Sequence, residues 1–298
     1  MTSLVSTVRI GTRGSRLALA QAELAADSLR AILPRFGIVP IATTGDAISA
    51  RGPRDGWAET DGQFTRDIER ALLEGRIDLA VHSYKDLPTA EVEDLVIAAV
   101  LPRADARDCL VTRDGGPLDA LPTSARVGTS SPRRAAQLRA VRPDLVATPI
   151  RGNVETRLRR LGEGEFEAVL LAAAGLDRLG VAVPEHARLS FEVSLPAPAQ
   201  GALALQVRAD DDVLLARLAT IDHRPTRIAV EAERRLLRRI GGGCLAPLGA
   251  LGEVDGAALR LRAAYDAENS RLVRADATGD AAASDDVIER VAREVLAA

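Results

Sequence analysis

The chain has 298 residues, 47% hydrophobic and 27% charged, which is the composition of a globular protein with about two domains, or three if one is small. Its formal net charge is −3, so no general basic field recruits nucleic acid or an anionic membrane. Aromatic residues are only 2%, which excludes recognition by stacking bases on aromatic platforms and leaves the core to Leu, Val, Ile and Ala.

Residues 1–10 hold no apolar signal core, and nowhere do 18 apolar residues run together, so a soluble, cytoplasmic protein is expected. The two cysteines, Cys109 and Cys244, cannot make a disulfide framework. Nothing in the pattern demands an oligomer, and a monomer is the default. Of the 39 basic residues, 38 are arginine and one, Lys85, is lysine. Arginine has been used almost everywhere a cation is tolerable, so the compact ammonium of Lys85 marks a position where the two side chains are not equivalent.

Short apolar strands alternate with amphipathic helices, which predicts α/β architecture with mainly parallel sheets. A strand over residues 8–11 precedes a helix over about 15–33 and a strand over 38–43. Residues 45–62 are polar, glycine-rich and aperiodic, the pattern of a lid. Phe64, Ile68, Ala71 and Leu72 mark one face of a helix, followed by strands at 77–81 and 95–101. A second unit has strands at 126–129, 145–150 and 168–172, with helices at 132–141 and 154–161. Residues 184–198 read as a connection, and 202–207 as a strand returning to the first unit. An arginine-rich helix over 226–240 leads into Gly241-Gly242-Gly243-Cys244; strands at 259–264 and 272–275 and a helix at 285–296 complete a small third unit. Arg9-Ile10-Gly11-Thr12 and Arg126-Val127-Gly128-Thr129 both stand before a helix, as two copies of one unit facing each other across a cleft would.

Chemistry concentrates at strand-to-helix junctions. In Gly128-Thr129-Ser130-Ser131-Pro132-Arg133-Arg134, Ser131 is an N-cap and Pro132 suits the first helical position. Two arginines in that first turn oppose the helix dipole unless an anion is shared there; the alternative is a solvated pair with screened repulsion. Arg13, Ser15 and Arg16 repeat the arrangement, as do Arg151-Gly152-Asn153 with Arg157, and Arg178 after Gly175. Several separate cationic points imply a ligand with several negative groups. With no phosphate loop and no dinucleotide fingerprint, carboxylates are favoured.

His82-Ser83-Tyr84-Lys85-Asp86-Leu87-Pro88 follows a buried strand, at the edge where open α/β sheets bind and react. Asp86 there can move a proton or stabilise a cation, or can simply cap the turn or pair on the surface. His82 reads as a packed or supporting residue. Cys109 starts an apolar strand and reads as a small core residue. Cys244, among glycines with Arg238 and Arg239 upstream, is either an accessible thiol of lowered pKa or a buried structural one. No residues converge at metal-ligand spacing, so no metal is expected.

Taken in order along the chain, these segments resemble the porphobilinogen deaminase (hydroxymethylbilane synthase) family. They are Arg9 to Ser15 with Leu17 to Gln21, His82 to Pro88, Arg107-Asp108, Gly128 to Arg134, Arg151 to Leu158, Ala173 to Gly180, Gln200 to Leu203 and Gly242 to Gly249. The resemblance implies three α/β domains: residues 1–101 with 202–219, residues 102–201, and residues 220–298. The first two resemble the lobes of a periplasmic binding protein around a cleft, and the small third carries the cofactor cysteine. It implies a transferase that condenses four porphobilinogens head to tail, with loss of ammonia, onto a dipyrromethane cofactor and releases the linear tetrapyrrole hydroxymethylbilane. Cys244 matches the thioether anchor of that cofactor. Asp86 matches the catalytic aspartate, where a fixed charge stabilises developing positive charge. Lys85 matches a lysine on the cofactor's carboxylates. Arg13, Ser15, Thr129, Ser131, Arg133, Arg134, Arg151, Arg157 and Arg178 match positions holding acetate and propionate groups.

Three departures stand out: the acidic Glu59-Thr60-Asp61-Gly62-Gln63 where the family often has a lysine, Pro132 for an aliphatic residue, and Ala199 for glycine. A cytosolic two-lobed sensor for a polycarboxylate is the runner-up, though no helix-turn-helix segment accompanies it. A phosphate-ester enzyme would need a carboxylate metal cluster or a phosphate loop, and neither is found.

Overall fold

The computed structural model describes residues 7–43, 65–241, 243–266 and 271–297, with Cys244 described by its backbone alone. The expected lid at 45–62, its acidic segment and Phe64 lie outside the described residues. The elements in order are β1 (Val8–Arg13), α1 (Arg16–Leu29), β2 (Phe36–Ile41), α2 (Arg66–Leu73), β3 (Leu79–Ser83), β4 (Leu95–Val100), β5 (Asp108–Thr112), β6 (Arg126–Gly128), α3 (Pro132–Val141), β7 (Val146–Thr148), α4 (Val154–Gly162), β8 (Ala168–Ala172), α5 (Ala173–Arg178), β9 (Leu203–Arg208), α6 (Asp212–Leu218), α7 (Arg224–Ile240), β10 (Leu248–Asp255), β11 (Ala258–Tyr265), β12 (Val273–Asp280) and α8 (Ser284–Leu296).

The first sheet has the order β2-β1-β3-β9-β4 and the second β5-β8-β6-β7. In the first, β1 runs parallel to β2 and β3, and β9 runs antiparallel to β3. In the second, β6 runs parallel to β7 and β8, and β5 runs antiparallel to β8. The four-residue echo therefore extends to strand order and direction: β2-β1-β3-β9 repeats as β7-β6-β8-β5. In both copies the central glycine permits close packing, since a Cβ on Gly11 would lie 2.2 Å from Ile77 and one on Gly128 would lie 3.0 Å from Val169. In both, a serine caps the following helix: Ser15 accepts from Ala18 N at 3.3 Å and Ser131 from Arg134 N at 3.4 Å.

The expectation of mainly parallel sheets needs correction. Strand β9 reaches the first sheet only after the chain has built the second, and enters against both of its neighbours. The third sheet, β10-β11-β12, is wholly antiparallel, because Gly256 (φ 55°) turns the chain between Asp255 and its partner Ala258. Strand β10 was not legible in the pattern. Its Gly249 and Gly252 interrupt the alternation where a Cβ would lie 2.8 Å from Leu195 and 2.7 Å from the backbone of Ala229.

The chain crosses between the first two sheets at residues 101–107 and again at 195–202. Glu233, on α7 and fully buried, ties these crossings together: it accepts from Arg103 Nη1 (2.6 Å) and Nη2 (3.1 Å), Ala199 N (2.6 Å) and Gly252 N (2.7 Å). Arg103 Nε also donates to the Gln200 carbonyl at 2.8 Å. Ala199 sits at φ 62°, in the left-handed region where glycine is at home. Its methyl costs about 1 kcal/mol there.

Candidate active site

The site grows from the carboxyl end of β3. After Ser83 the chain makes a single turn over Tyr84–Asp86, closed by Leu87 N donating to the Tyr84 carbonyl at 3.3 Å. Tyr84 and Leu87 point into the core, which leaves Lys85 and Asp86 half-buried at the sheet edge. Arg13, the last residue of β1, and Ser15 join Asp86, Gln21, His82 and Ser83 around a cavity of about 50 Å³. The Ser15 oxygen is spent on the cap of α1, while its own O–H can still donate.

From the second sheet come Thr129, Ser131, Arg133 and Arg134. Thr129 Oγ1 accepts from Ser131 N at 3.2 Å, so this pair of hydroxyls shapes the start of α3. The two arginines are neither solvated nor waiting on an outside anion alone, because the chain provides one. Asp108, fully buried, accepts from Arg133 Nη1 (2.6 Å), Arg134 Nη2 (2.6 Å) and Nε (3.0 Å), Ser194 Oγ (3.0 Å) and Gln200 Nε2 (2.9 Å). Burial by itself raises the Asp108 carboxyl, but Arg133 and Arg134 overcome it and hold the group well below the ordinary carboxylate range. The Arg133 Nε–H remains buried without an acceptor.

Gln200 links the two sheets. Its Oε1 accepts from Lys85 Nζ at 3.4 Å while its Nε2 donates to Asp108 and to the Ala106 carbonyl at 2.8 Å. Lys85 therefore stands at the junction. Burial pulls its ammonium down to about 8; Arg134 and Arg133 add to the shift, and Asp86 and Asp108 oppose it. Arg157, whose Nε donates to the Gly152 carbonyl at 2.9 Å, is lowered to about 10 by burial and by Arg134. Arg178 donates to the Gly201 carbonyl at 2.7 Å and is likewise lowered to about 10 by burial, with Asp177 opposing. These cations are held partly desolvated, and an anion brought against them would restore what burial takes away. Arg151 is half-buried just before the Asn153 cap of α4, where Asn153 Oδ1 accepts from Thr156 N at 2.8 Å.

Asp108, Gln200 and Gln21 were not singled out individually in the sequence. A glutamine between apolar stretches is the signal each glutamine offered, and Gln21 uses it to donate to Ser83 Oγ at 2.8 Å. Cys109 is a fully buried free thiol, pushed up to about 11 by burial, as a core residue should be.

His82 is packed behind the site, its Nε2 3.0 Å from Gln206 Oε1, and burial lowers it to about 4 despite that bond. Its folded pKa lies below its unfolded value near 6.5, so the unfolded chain binds the extra proton first as pH falls. Stability should therefore decline from about pH 6.5 down to 4, by about 3 kcal/mol in all. Denaturant midpoints measured across this range should show the slope, and His82→Gln should flatten it. An unchanged slope in that variant would assign the acid lability to other groups.

A family model described as "Porphobilinogen deaminase, dipyromethane cofactor binding domain" matches residues 8–216, and one described as "Porphobilinogen deaminase, C-terminal domain" matches residues 227–297. A curated porphobilinogen deaminase of Desulforudis audaxviator is 50% identical over 282 residues, covering 92% of this chain and 89% of that protein. Another, from Roseiflexus sp., is 46% identical over 301 residues, covering 98% of this chain and 99% of its own. Among solved structures, the VFT2 domain of Bordetella pertussis BvgS overlaps with a TM-score of 0.42 at 15% identity, covering 72% of this chain and 86% of that one. With both family models matched in chain order and relatives aligned nearly end to end, the chain belongs to the porphobilinogen deaminase family.

Proposed function

We propose that the residues around Asp86 carry the deaminase reaction of this family: four porphobilinogens are joined head to tail on a dipyrromethane cofactor, each losing ammonia, and the linear tetrapyrrole hydroxymethylbilane is released. The observation that carries the assignment of residues is the junction at the strand-end turn, where Lys85, next to the Asp86 carboxylate, is joined through Gln200 to Asp108 and its two arginines, with Arg157 and Arg178 as two further partly desolvated cations. Dipyrromethane and porphobilinogen are both polycarboxylates, and this donor set fits them. Arg133 Nε–H is a buried donor still without an acceptor, and three depressed cations gain from any carboxylate that replaces lost water. The cofactor, when bound, supplies the free pyrrole carbon on which the chain is extended.

Lys85, Thr129, Ser131, Arg133 and Arg134 would hold the cofactor's carboxylates, with Cys244 as its covalent anchor. Arg13, Ser15, Arg151, Arg157 and Arg178 would hold those of the substrate. Asp86 would accept from a pyrrole N–H through Oδ, steady the positive charge that develops as ammonia leaves, and take up the proton lost when the new bond forms. We infer domain bounds of 1–101 with 202–219, 102–201 and 220–298, a division that the grouping of the strands into three sheets supports. Among the described residues no helix is long and apolar enough to cross a membrane. We infer a cytoplasmic monomer that acts on a small molecule, without nucleic acid or membrane.

The test is the mass of the peptide carrying Cys244. Two linked pyrroles on that peptide are expected, and added porphobilinogen should build a ladder of heavier species. An unmodified peptide whose mass does not change with porphobilinogen would favour the polycarboxylate sensor. Cys244→Ser should purify without covalent pigment, because a hydroxyl is a far weaker nucleophile near neutral pH.

A further inference from the structure

The helix that leads toward Cys244 also grips the turn that carries Asp86. Arg234, on α7, donates from Nη1 to the carbonyls of Tyr84 (3.2 Å) and Leu87 (2.8 Å) and from Nη2 to that of Pro88 (2.6 Å). Its guanidinium carbon lies 4.5 Å from the centroid of the Tyr84 ring. One of these carbonyls precedes Asp86 in the chain and two follow it, so a single planar group spans the turn from both sides. The Tyr84 carbonyl also accepts from Leu87 N, the bond that closes the turn. Tyr84 is in turn pinned by its own N–H, which donates to the Ala202 carbonyl at 3.0 Å.

We propose that Arg234 is a positioning residue for the catalytic carboxylate, a role that rests on Asp86 acting as described above. Three carbonyl oxygens converging on one point repel each other, and a guanidinium with its fixed fork of donors is the side chain that satisfies them together while stacking on an aromatic face. A lysine ammonium supplies the charge without the plane. Beyond Arg234 the helix runs on for roughly 9 Å along its axis to Ile240, and Gly241 ends it in the left-handed conformation, φ 87°. The short turn Gly243–Leu245, which contains Cys244, comes next. The carboxylate's turn and the anchor's turn thus hang from one rigid element. Arg234 fixes the first of them to it, and so sets where Asp86 stands relative to whatever Cys244 holds.

The test compares holoenzymes of Arg234→Met and Arg234→Lys, each confirmed by intact mass to carry the cofactor. A carboxylate displaced by about 1 Å loses up to about 100-fold in rate. We expect kcat to fall by roughly 10- to 100-fold in both variants with KM little changed, the pattern of an interaction that serves the transition state. Arg227→Met is the control on the same helix, since Arg227 bonds Asp222, Glu231 and the Ile97 carbonyl instead. It should lose stability but keep its kcat. If Arg234→Met does not fold, Arg234→Lys decides, because it keeps the charge and lacks only the fork. Wild-type kcat in Arg234→Lys, a rise in KM at constant kcat, or an equal loss of kcat in Arg227→Met would each overturn the proposal. Normal turnover by Asp86→Asn would instead overturn the reading of Asp86, so the two failures are told apart.

Discussion

Asp86→Asn should yield a folded protein that still carries its cofactor and turns over about 10³-fold more slowly. The magnitude follows from what the side chain is asked to do. A positioned carboxylate acting in proton transfer contributes about 10²–10⁴-fold, and a fixed charge facing developing positive charge contributes on a similar scale in a desolvated site. Asparagine keeps the shape and the hydrogen-bonding reach and removes both the charge and the basicity. Folding should be spared, because the turn is held by the Tyr84–Leu87 bond and by Arg234 rather than by the carboxylate. The measurement is steady-state release of tetrapyrrole alongside intact mass, which separates slow turnover from failure to load cofactor. Normal turnover by a loaded variant would remove Asp86 from the chemistry.

The turn around Asp86 was legible because its signals are local. An apolar strand, a polar interruption and a proline follow each other within a dozen residues, and the chain has only one lysine to draw the eye. The helix over 132–141 was equally plain, since Ser131 and Pro132 announce it and nothing distant needs to agree. The partner of its arginines was not. Arg133 and Arg134 read as a request for an anion, which was correct as electrostatics, but Asp108 lies 25 residues earlier on a different element and answers part of that request from within. Gln200 and Glu233 escaped for the same reason. Gln200 meets Asp108 and Lys85 about 90 to 115 positions away, and Glu233 meets Arg103 130 positions away, and no spacing rule reaches that far. Strand β10 was hidden by glycines that serve tight packing against other elements rather than the strand itself.

Asp108→Asn should lower stability by about 3–5 kcal/mol, the usual cost of leaving buried cations without their counter-charge. Both carboxylate oxygens are saturated by donors from Arg133, Arg134, Ser194 and Gln200. The amide nitrogen of asparagine would therefore place N–H groups against N–H groups. For a chain of this size the thermal midpoint should drop by about 10 °C, and a drop under about 2 °C would show that the pair tolerates losing its anion. The sign with pH is fixed by the same contacts. The folded carboxyl titrates below its unfolded value, so its contribution is complete above the unfolded pKa near 4 and is lost as pH falls toward the folded one. The wild-type and variant midpoints should accordingly converge in strong acid. Near neutrality the variant leaves two buried guanidinia beside Lys85 and Arg157 without the Asp108 charge that offsets them. A polycarboxylate then gains more by binding than it does in the wild type, and anything that binds the folded state raises its midpoint. Added porphobilinogen should thus recover more of the midpoint in Asp108→Asn than it adds to the wild-type protein. Equal shifts in the two would mean that Asp108 is a structural ion-pair partner with no bearing on the charge the cleft presents to its ligands.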